Sequence, residues 1–283
     1  MKKTFRNLLL AALLMVLPIV ALADNKDQEA KKTHSPLYFA VEVGTGSASW
    51  IDKSLSYYTF NGSDFSIGVE IMRAANGDSK WVQQHQLRYI NSNGAIAFSG
   101  KGGSKIHLGN YTFGMMSHST VARNLRLYYG FDAGLLGGVV FNDHGGNNPM
   151  AIKGDLSVGF TGMVVYDFKL GKLPITARYQ MSLPVFAAYI QNEQGYSTAD
   201  FTNFIKVGTW NNHFNMRNRL HVDLRFNTWA LRLGYNNDIV THFATPNHFQ
   251  YVSHNFVIGF AGDLVRWGKD TDNKIIKPAL YTY

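Results

Sequence analysis

Residues 215–235 read NMRNRLHVDLRFNTWALRLGY, and apolar side chains alternate with polar ones along most of this stretch. One set holds Met216, Leu220, Val222, Leu224 and Phe226, with Asn218 as its polar exception. The other set holds Asn215, Arg217, Arg219, His221, Asp223 and Arg225. After Asn227–Thr228, a second alternation places Trp229, Leu231, Leu233 and Tyr235 opposite Arg232 and Gly234. Period-two alternation on both sides of a two-residue break predicts a β-hairpin.

This hairpin has an apolar face, which must be buried against something apolar. A soluble antiparallel sheet alternates in the same way, so the hairpin alone does not distinguish a protein core from lipid. The chain, however, begins with an export signal and repeats the alternation between residues 37 and 265. The combination predicts a transmembrane β-barrel with apolar side chains outside and polar side chains inside.

The first 23 residues are predicted to form a cleaved signal peptide. Lys2, Lys3 and Arg6 precede an apolar run over 8–20, and Ala21–Leu22–Ala23 has the small residues of a cleavage site. Cleavage after Ala23 leaves the polar segment 24–36 as a periplasmic lead-in. The predicted location is the outer membrane, where we expect contact with lipid and insertion by the barrel-assembly machinery.

Composition excludes several classes of function. The sequence contains no cysteine, which rules out a lipid-modified N-terminal cysteine, disulfides and thiolate metal sites. The net charge is +8, with 27 Lys and Arg against 19 Asp and Glu. These basic residues interleave with the predicted strands and form no basic helix or loop cluster, so we expect no binding of nucleic acid.

The alternation predicts ten strands within 37–265, followed by a polar tail over 266–283. Connections after even-numbered strands are predicted to be short and those after odd-numbered strands long, with Ile239–Gln250 as the last long loop. This order is typical of short periplasmic turns and longer extracellular loops. Two further strands within Pro184–His213 would make twelve, which stays an alternative.

The polar sets of the strands are predicted to line a narrow lumen. The lining residues are Glu42, Glu70, Arg126, Asp132, Arg178, Arg217, Arg219, His221, Asp223, Arg225 and Arg232. Unpaired charges in a closed interior cost several kcal/mol each, so we expect Arg to pair with Asp and Glu across the barrel. One interpretation is structural packing, and the other is a narrow anion pathway lined by the excess arginines.

Catalytic and metal-binding motifs are weak. His118 and Thr120 share one face of a strand and are the nearest match to a hydrolase pair, but no acidic residue lies close in sequence. Histidines collect toward the predicted outer side, at His144, His213, His242, His248 and His254. None has tight ligand spacing, and His242 and His248 are assigned to a loop, so neither a metal nor a cofactor is expected.

Residues 173–180, LPITARYQ, followed by Pro184 and by Gly195–Tyr196–Ser197, resemble a family of uncharacterised outer-membrane barrels from gut-type Gram-negative bacteria. The resemblance extends loosely from the first strand to the tenth. It implies an outer-membrane barrel fold, and it transfers no catalytic residues because the family carries the label of a domain of unknown function.

The sequence therefore favours a monomeric outer-membrane β-barrel of structural or transport type with a narrow charged lumen and no catalysis. An outer-membrane lipid hydrolase or deacylase centred on His118 is one alternative. A soluble periplasmic β-barrel that binds an apolar ligand is the other.

Overall fold

The structure, a computed structural model, describes residues 37–74, 80–143, 149–190, 205–226, 229–244 and 247–263. The predicted signal peptide, the lead-in 24–36 and the tail 266–283 lie outside these residues. Within them, the chain holds no helix with the length and apolar character needed to cross a membrane.

The described residues form eleven strands, ten of which close into an antiparallel β-barrel, as predicted. The strands are β1 (Leu37–Asp52), β2 (Phe60–Ala74), β3 (Trp81–Ile96), β4 (Ser104–Ala122), β5 (Leu125–Asn142), β6 (Met150–Leu170), β7 (Leu173–Ile190), β8 (Ile205–Gly208), β9 (His213–Phe226), β10 (Trp229–Ala244) and β11 (Asn247–Asp263). Consecutive strands pair from β1 to β7, β7 pairs with β9, and β11 returns to β1. The short β8 pairs with β7 outside this ring, so the region between β7 and β9 contributes one additional strand within its described residues.

The two ends of the barrel differ in their connections. At the end where β1 begins, called the lower end, residues 123–124 and 171–172 form two-residue turns. Two residues, 227–228, separate β9 from β10 at this end, and residues 75–80 separate β2 from β3. At the upper end, residues 53–59, 97–103 and 143–149 are longer. The last upper connection is an exception, because only residues 245–246 separate β10 from β11.

The predicted loop Ile239–Gln250 is therefore wrong. Ile239 pairs with Val252 and Thr241 pairs with Gln250, and the ladder continues to the pair Ala244 and Asn247. β1 and β2 also pair far toward the upper end, where Trp50 pairs with Phe60. The outward side chains of these upper segments mix polar residues such as Gln250 with apolar residues such as Phe243, and the inward side chains include Val240 and Phe249. The contrast in polarity between the two faces is therefore lost although the backbone pairing continues.

Apolar side chains point outward and charged side chains inward, which confirms the predicted orientation of β9 and β10. Leu220 is 48% exposed and Leu233 is 43% exposed on the outer face, while Arg217 and Arg232 are buried. Because each strand of the ring is hydrogen-bonded to both of its neighbours, no gap between the described strands interrupts the outer face, and side chains cover it continuously.

The lumen contains apolar layers as well as charges, which the sequence analysis did not predict. The lower layer comprises Tyr38, Ala40, Met72, Val82, Met116, Tyr128, Met163, Val165, Ala230 and Ala261. The upper layer comprises Ala48, Trp50, Phe60, Ile90, Ile106, Leu108, Leu136, Val140, Val240, Phe249 and Tyr251. Most of the predicted lumen charges lie between these two layers.

Candidate functional site

The middle of the lumen is organised around Arg232, whose side chain is fully buried. Its Nε donates to Asp223 Oδ1 at 2.8 Å and its Nη1 donates to Glu70 Oε2 at 2.9 Å. Its Nη2 donates to Asp223 Oδ2 at 3.0 Å and to the hydroxyl of Tyr38. Residues of β1, β2, β9 and β10 thus converge on one guanidinium group, as a charge buried in the lumen requires.

Arg178 and His221 extend this network around the barrel. Arg178 pairs with Glu70 at 2.5 Å, and its Nη2 lies 3.1 Å from His221 Nδ1. Because a guanidinium can only donate, Nδ1 accepts and the imidazole proton sits on Nε2. That Nε2 lies 3.0 Å from Asn236 Oδ1, and Asn236 in turn donates to Glu42 Oε1 at 2.9 Å.

A second group of charges lies higher in the lumen. Arg88 forms an ion pair with Asp238, and Arg219 donates to Gln86. Arg217 donates to Asn110 Oδ1 at 2.9 Å and lies 3.8 Å from Asp132 Oδ2.

A cavity of about 20 Å³ borders these side chains and is lined partly by Arg88, Arg217, Arg219, Asp155 and Asn215. A space of this size holds about one water molecule. Between the two apolar layers, the side chains named above surround this small cavity, and a barrel of ten strands is only slightly wider than one of eight strands, which side chains fill.

All eleven lumen residues predicted from the sequence lie on the inner face, but they divide into two groups. Nine belong to the middle of the lumen. Arg126 and Arg225 lie at the lower end instead, where both pair with Asp167, at 2.5 Å and 3.4 Å. Thr176 also donates to Asp167 at 2.6 Å. The Asp167 carboxylate thus links β5, β6, β7 and β9 at the lower end.

His118 and Thr120, the weak catalytic candidates, lie near the lower end of β4. The imidazole Nδ1 of His118 is 3.0 Å from the backbone carbonyl of Lys80, and the ring stacks on Tyr128. Thr120 is exposed. Each contact of His118 described here holds the ring in place, and neither contact is to a nucleophile.

The sequence analysis missed a buried polar cluster at the upper end. His213 Nε2 and His242 Nε2 lie 3.4 Å and 3.3 Å from the same oxygen, Oδ2 of Asp155. Nearby, Lys153 Nζ pairs with Asp52 Oδ2 at 2.8 Å. His213 lies two residues before Asn215 on the same alternating set, so extending that alternation upward would have placed it inside.

Several solved structures are similar to this barrel. The transport unit of the autotransporter AIDA-I from Escherichia coli is 7% identical with a TM-score of 0.43, over 85% of this chain and 93% of that one. The outer membrane protease OmpT from Escherichia coli is 6% identical with a TM-score of 0.44, over 83% and 99%. The translocator domain of the autotransporter NalP from Neisseria meningitidis is 11% identical with a TM-score of 0.39, over 89% and 95%.

Similarity at these identities transfers no activity to this chain, and no curated protein matches it. The sequence family is defined more clearly, and it agrees with the resemblance noted from residues 173–180 in being uncharacterised. Residues 8–270 match the family described as "Protein of unknown function (DUF3316)", so the chain belongs to this family.

Proposed function

We propose that the protein is a monomeric outer-membrane β-barrel whose lumen is closed, and whose role is structural. The observation that carries this proposal is the filled interior, in which Arg232 bridges Asp223, Glu70 and Tyr38 between two apolar layers. A closed ring of ten strands leaves no unpaired strand edge inside that ring, which supports a monomer.

The outer face supports insertion into lipid. Large apolar side chains there are strongly exposed, with Phe256 at 73%, Phe131 at 61% and Leu87 at 58%. Large contiguous apolar patches on a protein surface mark contacts with membranes or partners. Here the exposed apolar side chains recur on strand after strand around a closed barrel, an arrangement that fits an acyl-chain environment on all sides.

Pairs of tyrosine and histidine side chains lie in the upper half of the outer face, at two places around the barrel. The Tyr89 hydroxyl lies 2.7 Å from His107 Nδ1, and the Tyr235 hydroxyl lies 2.5 Å from His254 Nδ1. Above these pairs, Asn218 donates to Asn237 at 3.1 Å on the outer face. Amphipathic aromatic residues at such a level are typical of the interface between lipid and water.

The soluble alternative finds little support in the lumen. A site for an apolar ligand of drug-like size needs roughly 300–1,000 Å³, most of it apolar. The lumen cavity beside Arg88 is only about 20 Å³, and its lining mixes charged and apolar side chains. We therefore expect that washing membranes with high salt leaves the protein in the pellet and that detergent releases it. Release by salt alone would favour the soluble barrel.

The lipid hydrolase alternative is not favoured by any contact of His118, since this side chain faces the Lys80 carbonyl. We propose no catalytic role for His118 or Thr120.

Conductance in planar bilayers tests the closed lumen. We expect the wild-type protein to insert without producing current steps, because side chains fill the space between the apolar layers. Flotation of the same preparation with vesicles shows insertion, and an open porin serves as the positive control for current. A stable anion-selective current would instead support the pathway lined by arginines. The current should then be smaller in the Arg217→Ser and Arg219→Ser variants.

A further inference from the structure

We propose that Asp155, His213 and His242 form a binding site for one divalent transition-metal ion of the zinc type at the upper end of the lumen. All three side chains are buried, and their potential ligand atoms lie within 4.8 Å of one another. The site lies among the upper inward side chains and is separate from the Arg232 network described above.

The distances between the ligand atoms fit a shared ion. Asp155 Oδ2 lies 3.4 Å from His213 Nε2 and 3.3 Å from His242 Nε2. Zinc binds imidazole nitrogen and carboxylate oxygen at about 2.0–2.1 Å, and the edge of a tetrahedron with such bonds is about 3.3–3.4 Å. A direct N–H···O hydrogen bond is ordinarily shorter, at about 2.7–3.2 Å. The spacing of the carboxylate oxygen from each imidazole nitrogen thus matches two edges of a tetrahedral site, and the two imidazole nitrogens lie within 4.8 Å of each other.

The chemistry of the three ligands selects the class of ion. Imidazole nitrogen suits zinc, copper, nickel and iron, whereas magnesium and calcium prefer ligand sets made of oxygen. Two imidazoles and one carboxylate leave a fourth position for water. A cavity of about 20 Å³, enough for one water molecule, lies on the Asp155 and Asn215 side of the cluster.

The fold orients the ligands before any ion arrives. His213 and His242 form a cross-strand pair between β9 and β10, and their rings stack with centroids 5.0 Å apart. The Tyr189 ring packs against both, at 5.4 Å and 4.9 Å, and its hydroxyl donates to the Phe243 carbonyl at 3.0 Å. Packing on these faces restricts the two imidazoles and aims both Nε2 atoms at Asp155.

Asn215 supplies the outer contact that holds the carboxylate. Its Nδ2 donates to Asp155 Oδ2 at 2.9 Å, while its Oδ1 accepts from the Thr241 amide at 3.1 Å. Because Oδ1 of Asn215 accepts from the Thr241 amide, its Nδ2 is the atom that faces Asp155. Asn215 therefore orients Asp155 and is not itself a ligand. Outer contacts of this kind typically contribute about 10–100-fold to metal affinity.

The nearby positive charge of Lys153 is balanced, because its Nζ lies 2.8 Å from Asp52 Oδ2. A cation bound by Asp155, His213 and His242 is therefore not repelled by an unpaired ammonium group of Lys153.

Zinc binding to the full mature chain, refolded in detergent without a polyhistidine tag and stripped with a chelator, tests this site. We expect one zinc ion per chain by equilibrium dialysis and elemental analysis, with no binding of magnesium. Asp155→Asn, His213→Gln and His242→Gln should each weaken zinc binding by at least about 100-fold, since even an outer contact contributes about 10–100-fold. Asn215→Ala should weaken it by about 10–100-fold.

His254→Gln is the matched control, because His254 lies on the outer face, where it contacts Tyr235. This variant should keep full zinc binding. Heat-modifiable migration on gels shows whether each variant is folded.

Cobalt substituted into the wild-type protein gives a readout that needs no variant, since tetrahedral coordination produces intense visible absorption bands. Wild-type protein that binds no zinc, cobalt without those bands, or folded variants of Asp155 and both histidines that bind zinc normally would each overturn the proposal.

Discussion

Arg232→Met should destabilise the folded barrel by about 3–5 kcal/mol, because removing one partner leaves buried carboxylates without their counter-charge. Arg232 is fully buried and contacts Asp223 twice and Glu70 once within 3.0 Å. Methionine fills part of the volume but supplies no donor to either carboxylate. Urea titration of protein refolded in detergent micelles, followed by heat-modifiable migration, measures the loss.

Two variants make this test specific to the buried network. Arg73→Met removes an arginine that donates to Gln83 at 3.0 Å near the lower end of β2, and it should cost about 1 kcal/mol or less. Adding Asp223→Asn to Arg232→Met should recover part of the lost stability, because the double variant buries one unpaired charge fewer. Strictly additive losses would show that Arg232 and Asp223 do not act as a pair.

Ile258→Arg should reduce folding into lipid vesicles by about 2–4 kcal/mol, the cost of an arginine near the bilayer midplane on the outside of a barrel. Ile258 is 56% exposed on the outer face of β11, where it pairs with Val43 and Leu233. Its neighbours on both sides are apolar, so the introduced guanidinium meets acyl chains and no carboxylate. Equilibrium folding into vesicles of a thin bilayer measures the change.

Gln250→Arg provides the matched control on the same strand and the same face. Gln250 is exposed and lies above His254 on the outer face, so its substitution should change the folding free energy by about 0.5 kcal/mol or less. Equal and small effects at the two positions would mean that Ile258 faces water, and the membrane assignment would then be wrong.

The orientation of the strands could be predicted because it is a local property of the chain. Neighbouring side chains on a strand point to opposite faces, so Leu220 and His221 must lie on different sides whatever the rest of the fold does. The number of barrel strands could also be predicted, because each strand of the ring carries a recognisable alternation of polar and apolar residues. Prediction was accurate wherever the two faces differ strongly in polarity.

Strand ends were predicted less well because the signal used was contrast in polarity, whereas a strand is defined by backbone pairing. Above the apolar face, both sides of β10 and β11 carry polar residues. The periodic signal disappears there while the ladder between Thr241 and Gln250 persists. The predicted loop Ile239–Gln250 was wrong for this reason.

The sequence by itself determined that the arginines face inward and the leucines outward, because both features follow from alternation along a single strand. Only the tertiary structure decided which charges pair, since Arg232 meets Glu70 across 162 positions of sequence. The same holds for Asp155, which reaches His213 and His242 from a different part of the sheet. Register between strands sets such contacts, and register depends on how the whole ring closes, which no local pattern records.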